Sequence, residues 1–163
     1  MIASAGVKNV LVLGCSGGYG LASRIVAGFG CGAKTLGVSL EKPPTESKPA
    51  SAGWYNNAAF AAYAEEAGLY AKTLDGDAFS DAMRAQVMHT IREDMGSVDL
   101  VVYSLASPVR KHPHTEVLHR SAIKPMGDGL TLKSVHVDKG LVSDLTLEGA
   151  TQEEIDNTVA VMG

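Results

Sequence analysis

Lys8-Asn-Val-Leu-Val-Leu-Gly14-Cys-Ser-Gly-Gly18-Tyr-Gly20 is the stretch on which the fold turns. Its first half is a short, unbroken apolar run ending in glycine, the pattern of a strand buried on both faces. Gly18 to Gly32 then carries Leu21, Ile25, Val26 and Phe29 at helical spacing, and Lys34 to Leu40 is a second β-like run. Strand, helix and strand make one βαβ unit.

Working outward, Glu41 to Gly53 holds Pro43, Pro44 and Pro49 and reads as a loop. Trp54 to Gly68 is an alanine-rich helix closed by glycine, and Leu69 to Leu74 is a third strand. Ser80 caps a helix running to Gly96, with Met83, Val87, Ile91 and Met95 along one stripe, and Val98 to Leu105 is the fourth strand. Four strands joined by three helices imply parallel pairing with right-handed crossovers, an α/β doubly wound, Rossmann-like sheet. The rhythm breaks after Leu105. Ala106 to Gly129 holds Pro108, Pro113 and Pro125 with four basic residues, and Leu130 to Leu147 alternates like a hairpin, so residues 107–150 read as an irregular excursion off the sheet. Thr151-Gln-Glu-Glu154 has the form of a capping box and starts a helix that reaches Gly163, so an incomplete fold is expected. The 163 residues read as one domain, residues 1–163.

Composition excludes several classes. With 45% hydrophobic and 20% charged residues the chain buries a core and is not disordered. Fourteen Lys+Arg against eighteen Asp+Glu give a formal charge of −4 without a dense basic run, which argues against nucleic acid as partner. Two cysteines, Cys15 and Cys31, make no disulfide framework and favour a reducing compartment, so a cytoplasmic protein is expected. Met1 to Val7 lacks the form of a signal peptide, and no apolar run is long enough to span a membrane.

Gly14, Gly18 and Gly20 fit Gly-x-x-x-Gly-x-Gly between a buried strand and a helix. That arrangement gives a tight turn, a backbone bare enough for a pyrophosphate to approach, and helix amides aimed at the anion. Glu41 ends the second strand 21 positions after Gly20, where an acid accepts from the adenosine ribose hydroxyls of a dinucleotide. Asp77-Ala78 follows the third strand, near an adenine, unless Asp77 is only a helix-entry turn residue. Ser104-Leu105-Ala106 ends the fourth strand, near a nicotinamide riboside. A Walker-type site is disfavoured because no Lys-Ser/Thr pair follows the glycines, whereas a methyltransferase shares the glycines and the acid and stays open. Cys15 reads as a small loop residue, Tyr103 as a core tyrosine, and His112-Pro-His114 as solvent-facing without a metal.

The chain resembles the long, single-chain trans-2-enoyl-CoA reductase family, which includes NADH-dependent enoyl-acyl-carrier-protein reductases. The resemblance rests on Gly14 to Ala22, Ala52-Gly-Trp-Tyr-Asn56, Gly76 to Asp81, Val98 to Pro108, and Ala150 to Asp156 with Met162-Gly163. Residues 109–144 are the least similar part. The resemblance implies NAD contacts at Gly14, Cys15, Ser16, Gly17, Gly18 and Tyr19, at Leu40 and Glu41, at Asp77 and Ala78, and at Leu105 and Ala106. It implies NADH as cofactor and an enoyl-CoA or enoyl-acyl-carrier-protein substrate, reduced at its carbon–carbon double bond in fatty acid synthesis. The resemblance covers the cofactor-binding portion. The family's catalytic tyrosine and lysine, with eight residues between them, are expected beyond Gly163, in a remainder of the reductase chain. Tyr63 and Lys72 copy that spacing but lie on a helix and a strand that match no such position. The chain alone is therefore expected to be nearly inactive, and an autonomous nucleotide-binding module without catalysis is the alternative.

Overall fold

The computed structural model describes residues 6–162. Part of the Met1 to Val7 stretch and Gly163 lie outside the described residues. The chain forms two compact units, Met1–Ala106 and Ser107–Gly163.

The first unit is a parallel sheet of β1 (Asn9–Leu13), β2 (Lys34–Ser39), β3 (Ala71–Asp75) and β4 (Leu100–Tyr103) in the order β3-β2-β1-β4. Its helices are α1 (Gly18–Ile25), α2 (Ala52–Glu66) and α3 (Asp81–Thr90). Wider π-type turns, Val26–Gly30 and Ile91–Met95, extend α1 and α3, so the two long helical patterns of the sequence are each a helix with a looser last turn. Ser80 caps α3 by accepting from the Met83 N–H at 3.1 Å. The expected stripe is in place: Met83 and Val87 are buried against Leu11, Leu36, Val38 and Leu74, with Ile91 and Met95 beside them.

Strand alternation sends the other residues of β2 to the opposite face, and there the layer is not purely apolar. Val10, Val12, Cys15, Ala27 and Ala33 form an apolar cluster, but Thr35 and Ser39 are buried as well, together with Arg24 of α1. Ile25, Val26 and Phe29, three of the four apolar residues that marked this helix, stay 42–62% exposed. The apolar spacing located α1, while the residues it seats against the sheet are Gly20, Arg24, Ala27 and Gly28. Tyr103 is a correction to the core placement: on β4, an edge of the sheet, it is 58% exposed.

The second unit holds the hairpin of β5 (Val109–Lys111) and β6 (Leu118–Arg120), the hairpin of β7 (Leu130–His136) and β8 (Leu141–Leu147), and α4 (Gln152–Met162). The β7–β8 hairpin matches the alternation in the sequence, with Leu130 opposite Leu147 and Leu132 opposite Leu145. The β5–β6 hairpin sits where prolines suggested irregular chain; its strands are three residues each and bracket Pro113 in the turn. The capping box closes in both directions, Glu154 N–H to Thr151 Oγ1 at 3.2 Å and Thr151 N–H to Glu154 Oε2 at 2.9 Å. Among the described residues no helix is long and apolar enough to cross a membrane.

At the amino-terminal edge of the sheet, the Asp99 carboxylate accepts from the Lys8 and Asn9 N–H groups, both at 2.8 Å. These two hydrogen bonds hold its carboxyl below the usual carboxylate range. The folded form thus gains from an ionised Asp99: the gain is complete above the unfolded value of about 4 and is lost as pH falls through the lowered folded value. Urea denaturation at a series of acidic pH values is expected to show declining stability below about pH 4, and Asp99→Asn, which keeps an acceptor that does not titrate, to flatten that decline.

Candidate functional site

The carboxyl ends of all four strands are tied to one another. Gly14 and Cys15 N–H both donate to Val38 O, Gly76 N–H to Ser39 O, and Ser104 N–H to Leu13 O, at 2.7–3.1 Å. The chain leaves β1 through Gly14 at φ +85°, a left-handed conformation that favours glycine. A Cβ on Gly14 would lie 2.0 Å from Ser104 O, and one on Gly20 would lie 1.9 Å from Gly14 O. Loop, α1 and the end of β4 therefore meet at a distance only glycine permits.

Between these two contacts the loop turns outward. Gly17, Gly18 and Tyr19 are exposed, Tyr19 by 88%, and a Cβ on Gly17 or Gly18 would meet nothing within 4 Å. Gly17, the N-cap of α1, contributes no side chain to the first turn, so the amides there face open space at the positive end of the helix. This is the cradle an anion requires.

Ser16 is fixed from behind by α2, because Asn56 Nδ2 donates to Ser16 O at 2.8 Å. Glu41 stands at the other side of the same helix end. Its N–H donates to Asp75 Oδ1 at 2.8 Å, and Ser51 Oγ donates to its Oε2. A Cβ on Gly53 would fall 2.1 Å from Glu41 Oε1 and 2.8 Å from the Ser16 Cβ. Gly53 thus lets the carboxylate, the glycine loop and the start of α2 come together, where the α2 dipole favours the negative charge. Leu40, next to it, is 71% exposed.

Asp77 serves its own turn, where its Oδ1 accepts from the Phe79 N–H at 2.9 Å and its carbonyl accepts from Ser80. Ala78 packs against the core cluster on the α3 side. Leu105 is half-buried beside Gly14, and Ala106 is exposed. Cys15 presents only its backbone to the loop, its side chain being fully buried. Burial pushes its thiol pKa up, against the opposing pull of Arg24, so the sulfur stays a thiol. Lys72 pairs with Asp94 at 3.1 Å and Tyr63 is 64% exposed on α2, so their sequence spacing marks no shared site. Among the described residues no cluster of three or more His, Cys, Asp or Glu has the arrangement to hold a metal ion. Ser51, Gly53, Asn56 and Asp75 were not read from sequence as part of the site. The string Ala52 to Asn56 was the available signal, and its meaning depends on α2 folding back onto the loop.

Residues 48–163 match the family model described as the trans-2-enoyl-CoA reductase catalytic region, and residues 2–46 match the model for the NAD(P)H binding domain of trans-2-enoyl-CoA reductase. The chain belongs to the trans-2-enoyl-CoA reductase family. The enoyl-[acyl-carrier-protein] reductase [NADH] of Pseudomonas fluorescens strain Pf-5 is 60% identical over 159 residues, 98% of this chain and 40% of the relative. A reductase of the same description from Yersinia enterocolitica is 54% identical over 97% of this chain and 40% of its own length. Treponema denticola trans-2-enoyl-CoA reductase, solved in complex with NAD, superposes with a TM-score of 0.92 at 51% identity, covering 99% of this chain and 41% of that one. The Clostridium acetobutulicum trans-2-enoyl-CoA reductase, solved with NADH, gives a TM-score of 0.92 at 39% identity, over all of this chain and 41% of that one. This chain therefore spans about 40% of the length of the family members it matches. The two family models meet in the loop after β2, so α2, β3, α3 and β4 of the sheet fall under the catalytic-region model.

The two loop glycines are expected to separate in a folding test. Gly20→Ala should cost more than about 3 kcal/mol, since its Cβ meets main chain rather than a movable side chain. Gly18→Val has room for its side chain and pays mainly for φ +50°, of order 1–2 kcal/mol. Urea midpoints of the two variants check this.

Proposed function

We propose that this chain binds NADH and forms the cofactor-binding part of a cytoplasmic reductase that saturates the carbon–carbon double bond of trans-2-enoyl thioesters. The thioester would be carried on coenzyme A or acyl carrier protein. The observation that carries this reading is the bare, outward-turned amino end of α1 at the carboxyl ends of the strands, with Glu41 held beside it. In this reading Gly14, Cys15 (by its main chain), Ser16, Gly17, Gly18 and Tyr19 hold the pyrophosphate. Leu40 and Glu41 hold the adenosine ribose, Asp77 and Ala78 border the adenine, and Leu105 and Ala106 border the nicotinamide end. When bound, the cofactor supplies the hydride for the β-carbon of the thioester. The chain's own work is orientation: amides fix the diphosphate, the carboxylate fixes the ribose, and the end of β4 limits the far side. The catalytic tyrosine and lysine of the family belong, on this proposal, to the part of the relatives that this chain does not cover. The free thiols Cys15 and Cys31 accord with a cytoplasmic setting.

Fluorescence titration is expected to give NADH binding at least about tenfold tighter than NADPH, because Glu41 opposes a 2′-phosphate, and Glu41→Ala is expected to narrow the gap. Equal or tighter binding of NADPH by the unaltered chain overturns the assignment of Glu41. In turnover, loss of a positioned acid costs about 10²–10⁴ in rate, so the folded chain should consume NADH with crotonyl-CoA far more slowly than a full-length relative. Robust turnover would place the proton donor within these 163 residues and refute the division of labour proposed above.

A further inference from the structure

Behind the glycine loop, between α1 and the sheet, lies a charge that the proposed cofactor contacts leave unused. Arg24 is 0% exposed. Its Nε donates to Thr35 Oγ1 at 3.3 Å, its Nη1 to Thr73 Oγ1 at 2.8 Å and to Cys15 Sγ at 3.6 Å, and its Nη2 to Lys72 O at 2.8 Å. The Phe60 ring covers the guanidinium, with the ring centroid 4.3 Å from Cζ. No carboxylate pairs with it among the described residues. Room for the group comes from Gly37, where a Cβ would sit 2.6 Å from Cys15 Sγ and 2.7 Å from Arg24 Nη1.

A buried ion without a counterion is costly, and a guanidinium cannot escape the cost by losing its proton. Neutral oxygens, a sulfur and an aromatic face satisfy its donors but do not cancel its charge. The uncancelled field extends through a buried layer in which screening is weak. One of its contacts is Cys15, the residue between Gly14 and Ser16, so the guanidinium also anchors the loop that presents the open amides. A second anchor on the same residue, Cys15 Sγ to Asn57 Oδ1 at 3.6 Å, leads through Asn57 Nδ2 to Ser39 Oγ at 2.8 Å.

We propose that Arg24 is a positioning residue for the dinucleotide: it pins the Gly14–Gly20 loop through Cys15 and supplies a buried positive charge whose counterion is the bound diphosphate. The proposal rests on the reading of this loop as the NADH site. It differs from a packing role in one measurable respect. A packing residue would affect all ligands or only stability, whereas a charge completed by the diphosphate discriminates between ligands that carry one and ligands that do not.

The test compares unaltered chain, Arg24→Met, Arg24→Lys and Gly37→Ala, with NADH, ADP-ribose and adenosine as probes and thermal unfolding as the check on folding. Arg24→Met is expected to weaken NADH and ADP-ribose about tenfold or more and adenosine less than about twofold, with Arg24→Lys recovering most of the diphosphate affinity. Gly37→Ala, which keeps the charge but displaces it, should fall between them. Equal binding of ADP-ribose by folded Arg24→Met and the unaltered chain overturns the proposal, as does an equal loss for adenosine. If Arg24→Met does not fold, Arg24→Lys and Gly37→Ala decide: selective loss of ADP-ribose in Gly37→Ala with recovery in Arg24→Lys supports it, and unchanged binding in Gly37→Ala overturns it. Absence of NADH binding by the unaltered chain removes the site reading and this inference together, whereas binding there with unselective variants removes only the inference.

Discussion

Gly14, Gly20 and Ser104 come so close that a single methyl group on either glycine would occupy the main chain of its neighbour. The rest of the site depends on this contact. It sets the angle at which α1 leaves β1, and that angle turns Gly17, Gly18 and Tyr19 outward while burying the opposite side of the helix. With α1 so close to the sheet, the residues beneath it must be small, and Gly20, Ala27 and Gly28 are. Arg24 is the exception, and the space above Gly37 is the reason it fits.

The same closeness explains the unequal faces of the sheet. Toward α3, Leu36, Val38 and Leu74 meet Met83 and Val87 in an ordinary apolar interface. Toward α1 and α2, the layer holds Thr35, Ser39, Thr73, Asn57 and the guanidinium, each tied to another by a hydrogen bond. A polar layer of this kind is stable only when its members are satisfied together, which couples β2, β3, α2 and the loop. Position of the loop is thus a property of the layer and not of the glycines alone. Its bareness exposes the amides, while its stiffness comes from side chains well outside it.

The carboxylate side of the site follows a parallel logic. Glu41 is oriented by Ser51 and Asp75, residues from the start of α2 and the end of β3, and Gly53 is the gap that admits it. Asp77, by contrast, spends its carboxylate on the turn that starts α3.

From the sequence alone, the parallel sheet was legible because buried strands are continuous apolar runs and the glycine spacing has few other uses: β1 to β4, α1 to α3, the Ser80 cap, the β7–β8 hairpin and the Thr151–Glu154 box all lie where local pattern placed them. These features depend on neighbours a few residues apart. The β5–β6 hairpin, the exposure of Ile25, Val26, Phe29 and Tyr103, and the burial of Arg24 were decided by tertiary structure. Periodicity tells that a helix has an apolar stripe, but how much of that stripe is covered depends on the size of the residues facing it. An arginine becomes a core residue only when a glycine on one strand, threonines on two and a phenylalanine on another helix arrive around it, contacts between residues 11 to 49 positions apart in the chain.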